Sequence, residues 1–227
     1  MPTIRLEQVS KIYKNSRRGV SSTLQLDLTI RHGEFVFITG VRGSGKSTLM
    51  ELIAGEIEPD HGKVWLGAAN LWALSESERN DLRDCLGVIL SADELRPMET
   101  VFKNLASEHR LEYLKNRLFD RRRIEKALAL VGMSGSEDRY PKDMTASERC
   151  RVQMAKAIWR SPAVVIVDGL AERADGDTVW DMLHLLGELN RMGTTVVFAT
   201  ADSSYTTTMN KRVVNLLDGR VTNGPWQ

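Results

Sequence analysis

Gly40-Val41-Arg42-Gly43-Ser44-Gly45-Lys46-Ser47-Thr48 is the stretch that most narrows what this chain can fold into. It fits the G-x-x-x-x-G-K-[ST] spacing. There, glycines let backbone N–H groups wrap phosphate oxygens, the lysine meets the terminal phosphates, and the next hydroxyl, here Ser47, reaches a magnesium ion. The context agrees. Phe35-Val36-Phe37-Ile38 is a continuous apolar run of strand length just before the loop, and Leu49, Leu52 and Ile53 supply a helical period just after it. The bare pattern arises by chance in roughly one chain in a hundred at ordinary composition. The plainer alternative, a glycine-rich turn without a ligand, does not explain the flanking strand and helix. The order strand, phosphate loop, helix predicts an α/β fold of the P-loop nucleotide-binding class.

The remaining pattern supports that class. Leu24, Leu26, Leu28 and Ile30 alternate with polar residues, the period of a half-buried strand, and His32-Gly33 then turns the chain. From about residue 70 to 150 the pattern reads mostly as helix. Capping boxes stand at Ser75-Glu76-Ser77-Glu78 and Thr145-Ala146-Ser147-Glu148, and a helix from about Arg122 to Val131 stops at Gly132. The α/β pattern resumes with a buried strand Val164–Val167 and a helix from about Thr178 to Met192 stopped by Gly193. Strands Thr195–Thr200 and Val213–Leu217 follow, then an Asp218-Gly219 turn. Asp168 ends the buried strand Val164–Val167, where a carboxylate is costly unless it faces a cation or donors. The spacing therefore predicts that Ser47 and Asp168 hold Mg²⁺ together; an aspartate that merely caps a turn is the alternative.

Charge and composition exclude several other classes. Lys and Arg total 31 against 30 Asp and Glu, a formal net charge of +1, so no broad basic surface for nucleic acid is expected. Arg121-Arg122-Arg123 has no interleaved aromatic residues and reads as a solvated helix start. The apolar runs fall far short of the ~20 residues that span a bilayer, and Met1-Pro2-Thr3-Ile4-Arg5 begins no signal peptide. A soluble, cytoplasmic chain is expected. Cys85 and Cys150 lack metal or disulfide spacing, and His32, His61, His109 and His184 are scattered.

With the loop and Asp168 in place, the chain resembles the ATP-binding subunits of ABC systems over nearly its whole length, and within them the FtsE-type cell-division branch. The resemblance is carried by Ile4-Arg5-Leu6-Glu7-Gln8-Val9-Ser10-Lys11-Ile12-Tyr13, by Gly33-Glu34-Phe35-Val36-Phe37-Ile38-Thr39-Gly40, and by Gly193-Thr194-Thr195-Val196-Val197-Phe198-Ala199-Thr200. It implies one domain over 1–227. An antiparallel β subdomain and nucleotide-binding core are expected at about 1–85 and 160–227, and an inserted helical lobe at about 92–150. It also implies ATP and Mg²⁺ as ligands and Tyr13 as the aromatic that stacks on adenine; a tyrosine packed at a strand end is the alternative.

The resemblance also exposes departures at the stations that do chemistry. The family follows its strand-end aspartate with a glutamate that polarises the attacking water, and here the next residue is Gly169. The family's signature corresponds to Met144-Thr145-Ala146-Ser147-Glu148, which keeps a hydroxyl and a glutamate for the partner's ATP but replaces both glycines, so a crowded approach is expected. Ser91 stands where a glutamine is expected after Gly87-Val88-Ile89-Leu90, and Ala201 stands where the switch histidine is expected, followed by Asp202. Loss of a general base costs about 10²- to 10⁴-fold in rate, so hydrolysis is expected to be weak or absent. Rescue by Glu172 or Asp202 would require a displaced carboxylate to come within reach of the water. Binding is expected to survive, because phosphate cradling rests on backbone.

The expectation is an ATP-binding subunit, homodimeric or heterodimeric, that gates or regulates an FtsX-type, permease-like membrane partner in division or transport. It would sit on the inner face of the cell membrane through that partner. The resemblance also implies that Met98–Leu118, with Val101, Phe102, Leu105, Leu111, Tyr113 and Leu114, lines the groove that receives a coupling helix of the membrane subunit, the alternative being plain internal packing. The competing expectation is an active ABC ATPase that powers a transporter or cell-wall regulator with non-consensus residues. A P-loop kinase is weaker, because no acceptor-binding motif is visible.

Overall fold

The computed structural model describes residues 3–14, 21–83, 85–90, 95–106 and 117–222. In chain order its elements are β1 (Ile4–Lys14), β2 (Ser21–Ile30), β3 (Phe35–Thr39), α1 (Lys46–Ala54), β4 (His61–Leu66), β5 (Ala69–Asn70), α2 (Glu76–Arg83), β6 (Leu86–Ile89) and α3 (Val101–Ala106). There follow α4 (Arg117–Leu130), α5 (Ala146–Ile158), β7 (Val164–Val167), α6 (Gly176–Arg191), β8 (Thr195–Ala199), α7 (Ser203–Met209), β9 (Arg212–Leu217) and β10 (Arg220–Thr222).

Among the described residues the strands form one sheet in the order β5-β4-β1-β2-β10-β9-β3-β8-β7-β6. The half from β9 to β6 is parallel and the half from β5 to β2 is antiparallel. They join where Arg220 of β10 pairs with Gln25 of β2. Continuous apolar runs make sense in the parallel half because both faces are covered. Phe35 and Phe37, Val165 and Val167, and Val196 and Phe198 point to the face packed by α5 and α6. Val36 and Ile38, Val164 and Ile166, and Val197 and Ala199 point to the face packed by α1 and the antiparallel strands. Phe37 and Phe198 meet edge to face, their ring centres 5.8 Å apart, and neither is exposed.

The expected element types are present, and their ends are set by caps rather than by apolar period. The helix expected from Arg122 begins at Arg117, so the arginine triplet lies within α4, where Arg121 pairs with Glu125 at 3.0 Å. The helix expected from Thr178 begins at Gly176, because the Asp175 carboxylate accepts from the Thr178 N–H at 2.8 Å. Both expected capping boxes form: Ser75 with Glu78, and Thr145 with Glu148. Helix α7, rich in serine and threonine and hence a poor helix former by composition, was not foreseen. It is started by Asp202 and anchored by the buried Tyr205. No helix among the described residues is long and apolar enough to cross a membrane.

Candidate functional site

The phosphate loop leaves β3 at Gly40 and enters α1 at Lys46. It is pressed against the sheet so closely that only glycine fits at its start. A Cβ on Gly40 would stand 2.3 Å from the Leu216 carbonyl oxygen and 2.5 Å from Ser44 Oγ. Lys46 arcs back over the loop, its Nζ donating to the carbonyls of Gly40 at 2.7 Å and Val41 at 3.0 Å. Its ammonium is thereby held at the loop's mouth, where an arriving phosphate replaces two neutral acceptors with a charged one. Thr48 Oγ1 donates to the Tyr13 hydroxyl at 3.3 Å, so the end of β1 hangs over the loop with Tyr13 43% exposed. A half-exposed ring beside a phosphate cradle suits stacking on a base.

Two buried oxygens in this neighbourhood have no partner. Ser44 Oγ and Asp168 Oδ2 make no hydrogen bond, although Ser44 is 2% and Asp168 5% exposed. Buried polar atoms are nearly always satisfied, so each is a place for a ligand atom. Glu51 lies one helical turn beyond Ser47 on α1. Burial, and then the Asp168 carboxylate, raise its pKa, so two acidic groups share this region. An exposed Ser47 hydroxyl, an orphaned Asp168 oxygen and excess negative charge fit a divalent cation held beside phosphate. Ser47 and Asp168 are the residues that would hold it.

The altered stations have their own geometry. Gly169 sits in the left-handed region at φ 71°. Its carbonyl accepts from Arg173 Nε at 2.7 Å, while Arg173 Nη2 reaches the carbonyls of Asp168 and Leu90, each at 3.5 Å. One guanidinium thus ties the ends of β7 and β6 together where the resemblance expects a glutamate and a glutamine. Ser91 lies outside the described residues. Ala201 is exposed at the end of β8. Its neighbour Asp202 accepts from the Ser204 N–H at 2.8 Å, and its pKa is lowered by the hydrogen bonds to Ser204, so that carboxylate is occupied as a helix cap. Glu172 is exposed on the loop after β7.

Thr145-Ala146-Ser147-Glu148 begins α5, which packs on the opposite face of the sheet from α1, so the fold does not bring it onto the chain's own phosphate loop. The Thr145 hydroxyl accepts from the Glu148 N–H at 3.2 Å, and the Glu148 carboxylate accepts from the Thr145 N–H at 2.8 Å and from Arg139 at 2.8 Å. The Arg139 bond, then the Thr145 backbone bond, lowers the Glu148 pKa. Ser147 Oγ donates to Asp175 Oδ2, and the Asp175 N–H returns a bond to Ser147 Oγ at 3.2 Å. The Ser147 side chain is therefore held sideways, against the start of α6. Bonds from Ser147 and Thr178 hold the Asp175 carboxyl down at about 2. Sequence reasoning missed Asp175 and Arg173. The spacing Asp175-x-x-Thr178 before an apolar period was a cap signal for the first; nothing local marks the second.

The ABC transporter family profile matches residues 24–171. The chain is 34% identical over 213 residues to the cell division ATP-binding protein FtsE of Bacillus subtilis (strain 168), covering 93% of this chain and 92% of that one. It is 32% identical over 221 residues to FtsE of Escherichia coli (strain K12), covering 97% and 98%. Among solved structures it superposes on the dimeric form of MJ0796, a bacterial ABC transporter cassette, with a TM-score of 0.84, 25% identity and 97% of each chain covered. It also superposes on the same cassette in a post-hydrolysis state bound to ADP and phosphate, with a TM-score of 0.83.

Proposed function

This chain belongs to the ABC transporter family as an FtsE-type ATP-binding subunit, and from that premise we propose that it holds ATP with Mg²⁺ as a gating signal while hydrolysing it little or not at all. The observation that carries the reading is the contrast at the end of β7. Asp168 keeps a buried, unpartnered oxygen for the cation. The next residue is a side-chain-free glycine in a left-handed turn held by Arg173. Lys46, Ser47 and the loop's backbone N–H groups bind and orient the phosphates, and Tyr13 stacks on the base. The bound cation would neutralise phosphate charge. The two carboxylates nearest in sequence to the altered stations do not stand in for the missing base: Asp202 is engaged as a cap, and Glu172 lies three residues beyond Gly169.

The signal would pass to an integral membrane partner, of FtsX type by relation to the FtsE proteins, which would place the chain at the inner membrane face during cell division. A groove of about 400 Å³ lined by Leu95, Pro97, Pro141, Arg149 and Arg173 suits such a contact. Met98, adjacent in the chain, is 73% exposed. Of the residues expected to line the groove, Val101 and Leu105 are instead fully buried in the core, Phe102 is partly buried against it, and Leu111, Tyr113 and Leu114 lie outside the described residues. A larger cavity of about 570 Å³, lined by Thr3, Leu66, Leu82, Cys85 and Ala163, opens at the opposite end of β7 and has no part in this chemistry.

The test is to incubate the purified protein with ATP and Mg²⁺, remove free nucleotide rapidly and identify what stays bound. Intact ATP on the wild type and none on Lys46→Ala is the expected result. Bound ADP with released phosphate would establish the active-ATPase alternative, and an empty wild-type protein would overturn the reading.

A further inference from the structure

Strand β7 alternates its side chains, and Val164 and Ile166 point to the face packed by α1. The Asp168 N–H still donates to the Ile89 carbonyl at 2.7 Å, so the ladder runs one residue past the strand. Asp168, two beyond Ile166, therefore falls on the α1 side. Helix α1 packs on β7 and β8, and along it Ser47 and Glu51 stand one turn apart on a shared stripe. Two carboxylates from distant parts of the chain thus converge beside the phosphate loop: Glu51, partly buried, and Asp168, 5% exposed. Burial, and then the nearby Asp168 charge, push the Glu51 carboxyl up.

No cation of the described residues answers this pair. Neither carboxylate is in an ion pair there, and Asp168 Oδ2 has no hydrogen bond. Lys46 is turned onto the Gly40 and Val41 carbonyls, and Arg173 onto the backbone carbonyls of Gly169, Asp168 and Leu90. Like charges brought together out of water are costly unless something neutralises them. A divalent cation matches the pair's charge, and hard cations take carboxylate oxygen together with hydroxyl and water. The Ser47 hydroxyl, on the same stripe as Glu51, is exposed. Phosphates that arrived before such an ion would add negative charge beside two carboxylates.

We infer that Glu51 completes the cation site of Ser47 and Asp168, so that this chain takes up its divalent ion before the nucleotide and meets the phosphates with the ion already in place. This deepens the reading of the chain as a subunit that holds ATP with Mg²⁺, and rests on it for the nucleotide alone. Glu51 acts on the phosphates through the ion. Without the ion its charge repels them; with the ion bound, the same charge holds in place what attracts them.

The probe is Mn²⁺ alone, followed by the electron paramagnetic resonance signal of the free ion, titrated into nucleotide-free wild type, Glu51→Gln and Glu51→Lys. ATP affinity is measured on the same proteins in EDTA and in Mg²⁺. The wild type is expected to bind Mn²⁺ and release it to Mg²⁺, Glu51→Gln to bind it about tenfold or more weakly, and Glu51→Lys to bind none. In EDTA, Glu51→Gln is expected to hold ATP about threefold or more tightly than the wild type, because a repelling charge is gone, whereas in Mg²⁺ it holds ATP more weakly. Equal Mn²⁺ affinity in wild type and Glu51→Gln would overturn the inference, as would undiminished uptake by Glu51→Lys or a wild type that takes up Mn²⁺ only with ATP present. So would a Glu51→Gln protein that holds ATP more weakly in both buffers, which would make Glu51 a structural support of α1. Mn²⁺ uptake is read without nucleotide, so it decides the cation site even for a wild type that retains no ATP, the result that overturns the functional reading.

Discussion

Replacing Gly169 by glutamate restores the carboxylate the resemblance expects, yet the structure predicts that it does not restore turnover. The residue stands at φ 71°, where a side chain meets its own backbone at a cost of about 1–2 kcal/mol. For a domain of this size each kcal/mol moves the midpoint by about 2–4 °C, so Gly169→Glu should unfold roughly 2–8 °C below the wild type. Gly169→Ala should fall by a similar amount, because the cost lies in the backbone. A well-placed base is worth about 10²- to 10⁴-fold. Here the carboxylate would leave a left-handed Cα whose carbonyl is pinned by Arg173, so phosphate release should rise less than about tenfold. The assay is phosphate release at saturating ATP and Mg²⁺ beside a thermal melt, on the wild type, both single variants, and Gly169→Glu combined with Ala201→His. A hundredfold or greater gain from Gly169→Glu, or melting points unchanged in both single variants, would refute the claim that turn geometry as well as a missing group blocks the chemistry.

The start of α5 and the cap of α6 supply two further tests. Thr145→Ala removes the capping oxygen and should cost about 1 kcal/mol, read as a lower urea midpoint with an unchanged slope. Asp175 has a depressed folded-state pKa of about 2, so its stabilisation is fully present above its unfolded value near about 4 and is lost as pH falls through about 2. The stability gap between wild type and Asp175→Asn should therefore be wide at pH 5 and narrow toward pH 2; a gap that stays constant would show that the carboxylate charge is not what ties α5 to α6.

Much of this molecule was legible from residue order alone, because its strongest signals are local. The phosphate loop, the unbroken apolar runs of β3 and β7 and the capping box at Thr145 each depend on residues within a turn or two of one another. The physics that shapes them, glycine's freedom, two-sided burial and satisfied helix ends, acts at that range. The losses at Gly169 and Ala201 were likewise visible as missing side chains. What the tertiary structure alone decided are contacts between distant segments. Tyr13 and Thr48 meet because β1 ends over the loop. Ser147 finds Asp175, 28 residues away, because two helices start side by side, which turns an expected obstruction into an internal tie. Arg173 reaches Leu90, 83 residues away, because β6 and β7 are neighbours. A missing carboxylate can be read from a sequence; a backbone turn held in a form that excludes its return depends on a guanidinium and a strand end that only folding brings together.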